Sequence, residues 1–176
     1  VLQGGLLAGM SVVGERFRLR EVFLPDVLLS AKAMYAGLAV LRPLLASEGV
    51  PSRGKVVLGT VKGDLHDIGK NLVGIMLKGA GFEVIDLGHD VPPEAFVDAA
   101  VRENASVIGM SALLTTTMVR MRDVVALVRE RGLAGRVRTI VGGAPVSADF
   151  AREIGADDYA CDAADAVGRV QALLGA

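Results

Sequence analysis

From residue 55 onward, short apolar runs alternate with segments whose apolar residues recur at helical spacing. The runs are Val56–Val61, Phe82–Leu87, Ser106–Met110, Val137–Val141 and a weaker Asp157–Ala160. The helical periods are Lys70–Gly79, Pro93–Glu103, Thr116–Arg131, Ser147–Ile154 and Ala163–Leu174. Five strand–helix units in this alternation predict an α/β fold with a parallel sheet covered by helices on both faces. Right-handed crossovers make the expected architecture a doubly wound, flavodoxin-like (Rossmann-type) sheet of five strands.

The first 47 residues follow a different rule. Leu6, Leu7, Met10, Val13, Gly14 and Phe17 repeat at about i, i+3, i+4 and i+7, the signature of one apolar helix face. Arg16, Arg18 and Arg20 mark its polar end. A second helix is expected from Pro25, a residue suited to a first helical turn. It carries Val27, Leu28, Ala31, Met34, Tyr35, Leu38 and Leu41 on one broad face, and Pro43 predicts a kink or a new turn. Two helices bury such faces poorly alone, so they must pack on the rest of the chain or on further helices. Residues 47–54, Ser-Glu-Gly-Val-Pro-Ser-Arg-Gly, read as a linker. The expected division is a helical portion over 1–50, a partial bundle incomplete at its N-terminus, and an α/β domain over 54–176.

Composition narrows the function. The 176 residues carry a net charge of −1, which offers no general attraction to nucleic acid or to an anionic membrane surface. Hydrophobic residues make up 52%, yet no apolar run looks long enough to span a membrane, for which about 18 residues are needed. With no signal-like start, the expected location is cytoplasmic. The single cysteine, Cys161, excludes an internal disulfide and a cysteine-rich zinc site. Tryptophan is absent and aromatics are 4%, so a stacking platform for single strands is not expected.

Candidate chemistry gathers where strands end. After the first strand comes Gly63-Asp64-Leu65-His66-Asp67-Ile68-Gly69, with one of only two histidines in the chain. After the third comes Ser111-Ala112-Leu113-Leu114-Thr115-Thr116-Thr117. After the fourth comes Gly142-Gly143, and after the fifth Tyr159-Ala160-Cys161-Asp162-Ala163. In a flavodoxin-like order the first, third and fourth strands are neighbours, so these loops converge on the crevice where such sheets bind ligands. Taken singly, each has a plainer explanation. Asp64 or Asp67 fits a helix N-cap, His66 a solvent-facing loop residue, Ser111 and the threonines helix caps, and Gly142-Gly143 a turn. Taken together, they read as one site containing an imidazole, hydroxyls and close backbone approach. A lone imidazole supplies too few ligands for zinc. It fits a metal already held by a macrocycle, and Asp64, two residues away, is placed to hydrogen-bond the other ring nitrogen.

These residues match a known pattern. The sequence resembles the cobalamin (B12)-binding corrinoid proteins of methyltransferase systems, and is similar to the cobalamin-binding domain of methionine synthase. The family signature is Asp-x-His-x-x-Gly, about 41 residues, Ser-x-Leu, about 26–28 residues, then Gly-Gly. Here Asp64, His66 and Gly69 form the first block, and residues 70–110, 41 in number, separate it from Ser111 and Leu113. Residues 114–141, 28 in number, then lead to Gly142 and Gly143. Gly14-Glu15-Arg16-Phe17 and Phe23-Leu24-Pro25 resemble the family's helical cap, so the resemblance covers nearly the whole chain.

The resemblance implies a cofactor, cobalamin or a related corrinoid in its methylcobalamin form, with cobalt as the metal. It implies His66 as lower axial ligand, Asp64 as its hydrogen-bond partner, and Thr117 as completing the relay where the family often has serine. Gly63, Asp67, Ile68, Gly69, Ser111, Leu113, Thr115, Gly142, Gly143, Tyr159, Asp162 and Ala163 would contact the cofactor and its nucleotide tail. Phe17 and Leu24 would shield the cobalt from above. The implied role is a carrier with no catalytic residue of its own. It would take a methyl group from a donor-specific methyltransferase, cycle between cobalt(I) and methyl-cobalt(III), and pass the methyl to a second methyltransferase acting on a thiol or a folate/pterin. Nucleic acid and membranes are not expected partners. The alternative is the cobalamin-binding subunit of an adenosylcobalamin-dependent mutase, which shares the histidine loop but normally lacks the cap helices.

Overall fold

The computed structural model describes residues 2–48 and 52–175. A π-helical turn, Leu2–Leu7, leads into α1 (Ala8–Arg18), and α2 (Leu24–Glu48) follows. The α/β portion then runs β1 (Lys55–Thr60), α3 (Ile68–Gly79), β2 (Glu83–Asp86), α4 (Pro93–Arg102), β3 (Val107–Ser111), α5 (Thr115–Met118) and α6 (Met121–Glu130). It ends with β4 (Arg138–Gly142), α7 (Ala148–Ile154), β5 (Asp158–Ala160) and α8 (Ala163–Leu174).

All five strands are parallel, in the order β2-β1-β3-β4-β5. This is the expected flavodoxin-like order, with β1 and β3 flanking the point where the winding direction reverses. β1 and β3 pair from Val56 with Val107 up to Thr60 with Ser111, and β3 and β4 pair up to Ser111 with Gly142. The strand ends carrying the loops of interest therefore lie side by side at one level.

The sheet is buried on both faces, which is why its strands are near-continuous apolar runs rather than alternating ones. On one face Phe96, Val97, Met121, Val124, Val128 and Phe150 from α4, α6 and α7 pack against Val57, Ile108 and Val141. On the other, Leu77 of α3 and Ala166 and Val170 of α8 pack against Val56, Val107 and Ile140. The helical N-terminal portion rests on the outside of α3 and α8. Met10 of α1 and Val27, Ala31 and Met34 of α2 are buried against Leu72, Met76 and Ala163. Glycine permits the close approach: a Cβ on Gly79 would lie 2.3 Å from Met10 Cγ.

Several boundaries differ from the expectation. The segment Thr116–Arg131 is two helices, α5 and α6, rather than one. The Thr117 hydroxyl bonds to Asp64 and to the Leu114 carbonyl, while the buried series Met121, Val124, Val125 and Val128 begins a separate helical face. α2 begins at Leu24 and continues across Pro43 to Glu48, so no new element starts at that proline. Ser47 and Glu48 belong to this helix, and residues 49–51 of the expected linker lie outside the described residues. The expectation that no segment reaches spanning length also changes: within α2, Leu24–Leu41 is long and apolar enough to cross a membrane by length and composition. In the fold, Val27, Ala31 and Met34 of that helix are buried against α1 and α3.

Candidate functional site

The loop after β1 is built around one carboxylate. Asp64 is completely buried and accepts five hydrogen bonds. Oδ1 accepts from the His66 amide at 3.1 Å and lies 2.7 Å from His66 Nδ1. Oδ2 accepts from the Leu113 amide at 2.8 Å, the Leu114 amide at 3.3 Å and the Thr117 hydroxyl at 2.6 Å. The loops after β1 and β3 are thus joined through a single side chain. Burial alone would raise the carboxyl pKa. The Thr117 hydroxyl, the Leu113 amide and the amide and ring of His66 outweigh it and hold the group well below the usual carboxylate range.

That charge sets the state of His66. An ionised carboxylate only accepts, so the proton of the ring lies on Nδ1, and a neutral ring presents Nε2 with a bare lone pair. Nε2 has no hydrogen-bond partner among the described residues, and the side chain is 52% exposed. The loop is fixed from below by the Thr60 hydroxyl, which donates to the His66 carbonyl at 3.0 Å. It is fixed from the β2 side by Asp90, whose carboxylate accepts from the Gly63 amide at 2.8 Å and whose own amide donates to the Asp64 carbonyl. Gly63 sits at φ +84°, a conformation that favours glycine.

Beside this loop a cavity of about 380 Å³ opens between α3, α8 and the sheet. Gly69, Ser111, Gly142, Gly143, Asp162 and Ala163 line it near the strand ends, and Phe17 of α1 forms part of its wall. Deeper, the lining is Val56, Leu58, Leu77, Gly109, Ile140 and Val170. Val56 lies four positions along β1 from Thr60, which pairs with Ser111, so the cavity descends about 13 Å at roughly 3.3 Å per residue. Glycine makes the passage. Gly143 adopts φ +125°, and a Cβ there would stand 1.9 Å from the Ala112 carbonyl oxygen. A Cβ on Gly69 would meet nothing within 4 Å and would project into open space.

Most of the other expected site residues lie outside the cavity. Asp67 precedes α3 without a side-chain capping bond, so neither it nor Asp64 acts as the plain N-cap considered above. Ile68, Leu113 and Thr115 are exposed, and with Leu65 and Leu114 they put apolar side chains on the two loops that meet at Asp64. Leu24 packs among the helices of the N-terminal portion. Tyr159 is half-buried in the core of the opposite sheet face, because successive strand residues alternate sides; its neighbours Ala160 and Cys161 line the cavity instead. Asp162 caps α8 by accepting from the Ala164 and Asp165 amides.

Some cavity residues were not singled out in the sequence. Gly109, inside the apolar run of β3, is one that could have been, since an interior strand glycine marks close approach of another group. Lys70 is another. It is only 2% exposed and reaches Asp86 at the end of β2 with Nζ 2.5 Å from Oδ1. No sequence signal separates it from an ordinary surface lysine.

Among the described residues no three His, Cys, Asp or Glu side chains gather closely enough to hold a metal ion. The single imidazole with an open Nε2, the exposed apolar side chains around it and the deep glycine-lined cavity alongside fit a metal held in a flat apolar ring with a long tail.

Comparison with known proteins agrees. Residues 54–169 match the family model of the B12 binding domain, and residues 1–42 match a second B12 binding domain model. The chain is 48% identical over 177 residues to a corrinoid protein of Desulfitobacterium hafniense, covering 99% of this chain and 82% of that one. It is 47% identical over 175 residues to dimethylamine corrinoid protein 1 of Methanosarcina acetivorans, with the same coverage. Among solved structures, it superposes on the methanol:cobalamin methyltransferase complex MtaBC of Methanosarcina barkeri with a TM-score of 0.89 at 34% identity, covering 99% of this chain and 66% of that one. The chain belongs to the B12-binding corrinoid proteins of methyltransferase systems, and its cofactor is cobalamin or a related corrinoid.

Proposed function

We propose that this protein is a methyl carrier, serving between a methyltransferase specific for a small methyl donor, such as a methylamine or methanol, and a second one that delivers the methyl to a thiol or a folate/pterin. The observation that carries the proposal is the grip of buried Asp64 on Nδ1 of half-exposed His66. When bound, the corrinoid supplies the chemistry: cobalt that is a strong nucleophile when reduced and a methyl holder when oxidised.

The protein's part is positional and electrostatic. With a corrinoid bound, His66 would hold the cobalt through Nε2, and Asp64, at 2.7 Å from Nδ1, would fix the tautomer and orientation of the ring. The Thr117 hydroxyl and the amides of Leu113 and Leu114 share the carboxylate's charge, so its acceptor strength towards His66 is set by the loop after β3. The same contact would keep the ring in place whether or not Nε2 is engaged by the metal. The cavity between α3 and α8 would receive the nucleotide tail, with Ser111, Gly142 and Gly143 at its mouth. The N-terminal helices would act as a cap, with Phe17, part of the cavity wall, as apolar cover that limits the entry of water, and Leu24 packed behind it among those helices.

The relatives' names favour methyl transfer over radical rearrangement. The test is reconstitution with methylcobalamin, followed by transfer of its methyl group to a thiol by a corrinoid:thiol methyltransferase. Wild-type protein should turn over, and His66→Gly should bind the cofactor with a base-off absorbance spectrum. A base-on spectrum in that variant refutes the axial role.

A further inference from the structure

Resting on the reading that the cavity takes the nucleotide tail, we infer that this protein selects corrinoids by the chemistry of their lower base. It accepts an aryl base of the benzimidazole type and discriminates against a purine.

The cavity divides by polarity along its depth. Its polar side chains all stand near the strand ends. Ser111 closes β3, Cys161 and Asp162 follow β5, and Lys70 lies in the first turn of α3. Two of these are already engaged: Lys70 Nζ with Asp86, and the Asp162 carboxylate with the Ala164 and Asp165 amides. Below that level the walls are Val56, Leu58, Leu77, Ile140, Ala166 and Val170, none of which carries a polar side-chain atom. The backbone of the central strands behind these side chains is paired as well. β1, β3 and β4 are central strands whose amides and carbonyls pair with each other along the ladders from Val56 to Thr60 and from Val107 to Ser111. Among the described residues no buried side-chain nitrogen or oxygen lacks a partner, so no polar group waits at the floor for a complement.

A base lowered into this end of the cavity leaves water and meets only hydrocarbon. A benzimidazole carries a single free ring nitrogen and otherwise apolar edges. An adenine adds an exocyclic amino group with two N–H donors and further ring acceptors, all of which lose their water partners without replacement. A site that cannot hydrogen-bond a group rejects it through this desolvation, and the rejection grows with each unpaired atom. The expected discrimination is at least about tenfold in affinity.

The experiment compares three corrinoids by equilibrium dialysis with cobalt assay: cobalamin, its adenine-base analogue, and cobinamide, which has no nucleotide. All are used anaerobically as four-coordinate cobalt(I) forms, so that neither base has to leave the metal and His66 does not contribute. Cobalamin should bind tightest, with the adenine analogue at least about tenfold weaker and close to cobinamide. Equal or tighter binding of the adenine analogue overturns the inference. Cobinamide binding as tightly as cobalamin also overturns it, because the tail then gains nothing from the cavity, while corrinoid binding itself stands. If none of the three binds, the carrier reading falls with it.

Discussion

The carboxylate of Asp64 and the imidazole of His66 meet at 2.7 Å, yet they occupy opposite environments, the first fully buried and the second 52% exposed. The acid is locked and its partner is accessible. Removing the two side chains should therefore have different consequences.

His66→Gly should leave the fold nearly intact, with a change of about 1 kcal/mol or less in denaturant unfolding, because a half-exposed ring is lost and four of the five donors to Asp64 remain. Corrinoid bound to this variant should show a base-off spectrum, and added imidazole should restore the base-on form.

Asp64→Asn places an amide where five donors converge, so whichever way it turns its NH2 faces at least one backbone N–H. A loss of about 2–4 kcal/mol is expected from the buried mismatch. The pH dependence has a definite sign. The folded pKa of Asp64 is depressed, so its stabilisation is present above the unfolded value of about 3.9 and is lost as pH falls below it towards the folded pKa. Urea unfolding of wild type and Asp64→Asn from pH 6 down to pH 3 should show the gap narrowing at the acid end.

Thr117 separates hydroxyl from shape. Thr117→Val keeps the volume and removes the 2.6 Å bond to Asp64, and should cost about 1–3 kcal/mol. Thr117→Ser keeps the bond and should cost less. In the loaded protein, valine should shift the pH midpoint between base-on and base-off spectra, and serine should leave it near the wild-type value. An unmoved midpoint in the valine variant would remove Thr117 from the relay.

The pair Lys70–Asp86 should respond asymmetrically, because Lys70 is 2% exposed and Asp86 41% exposed. Asp86→Asn leaves a buried ammonium without its counter-charge and should cost about 3–5 kcal/mol. Lys70→Met leaves a carboxylate that water can reach and should cost distinctly less. Chemical denaturation of both variants reads the difference.

Two glycines separate folding from binding. Gly143→Ala forces a Cβ to 1.9 Å from the Ala112 carbonyl oxygen at φ +125°, and should cost several kcal/mol, about 3 or more, or prevent folding. Gly69→Ala meets no atom within 4 Å and lies within α3, so stability should hold or rise by about 0.5–1 kcal/mol while corrinoid affinity falls. Thermal unfolding and a binding titration on the same samples check both halves.

The alternation of apolar runs and helical periods was enough to read the sheet and its strand order, since a buried parallel sheet leaves little freedom in either pattern or handedness. The spacing from Asp64 to Ser111 to Gly142 likewise located loops that the fold brings to one level. What escaped were features set by three-dimensional pairing. The break between α5 and α6 comes from Thr117 bonding across to Asp64, 53 residues earlier. The side of the sheet that Tyr159 faces depends on where β5 pairs with β4, and a short strand of Asp158–Ala160 carries too few residues to show its phase. The burial of Lys70 depends on Asp86 arriving at the end of β2, which no local pattern announces.

Gly143 has one more implication. Where it leaves β4, backbone rests on backbone: the chain is pressed against the Ala112 carbonyl with no side chain between them. The entrance to the cavity is therefore cut to a width that substitutions at neighbouring positions cannot adjust. The far end is walled by ordinary aliphatic side chains, each exchangeable for another. Exchanging those side chains would refurnish the room behind a fixed doorway without disturbing the loop that holds His66.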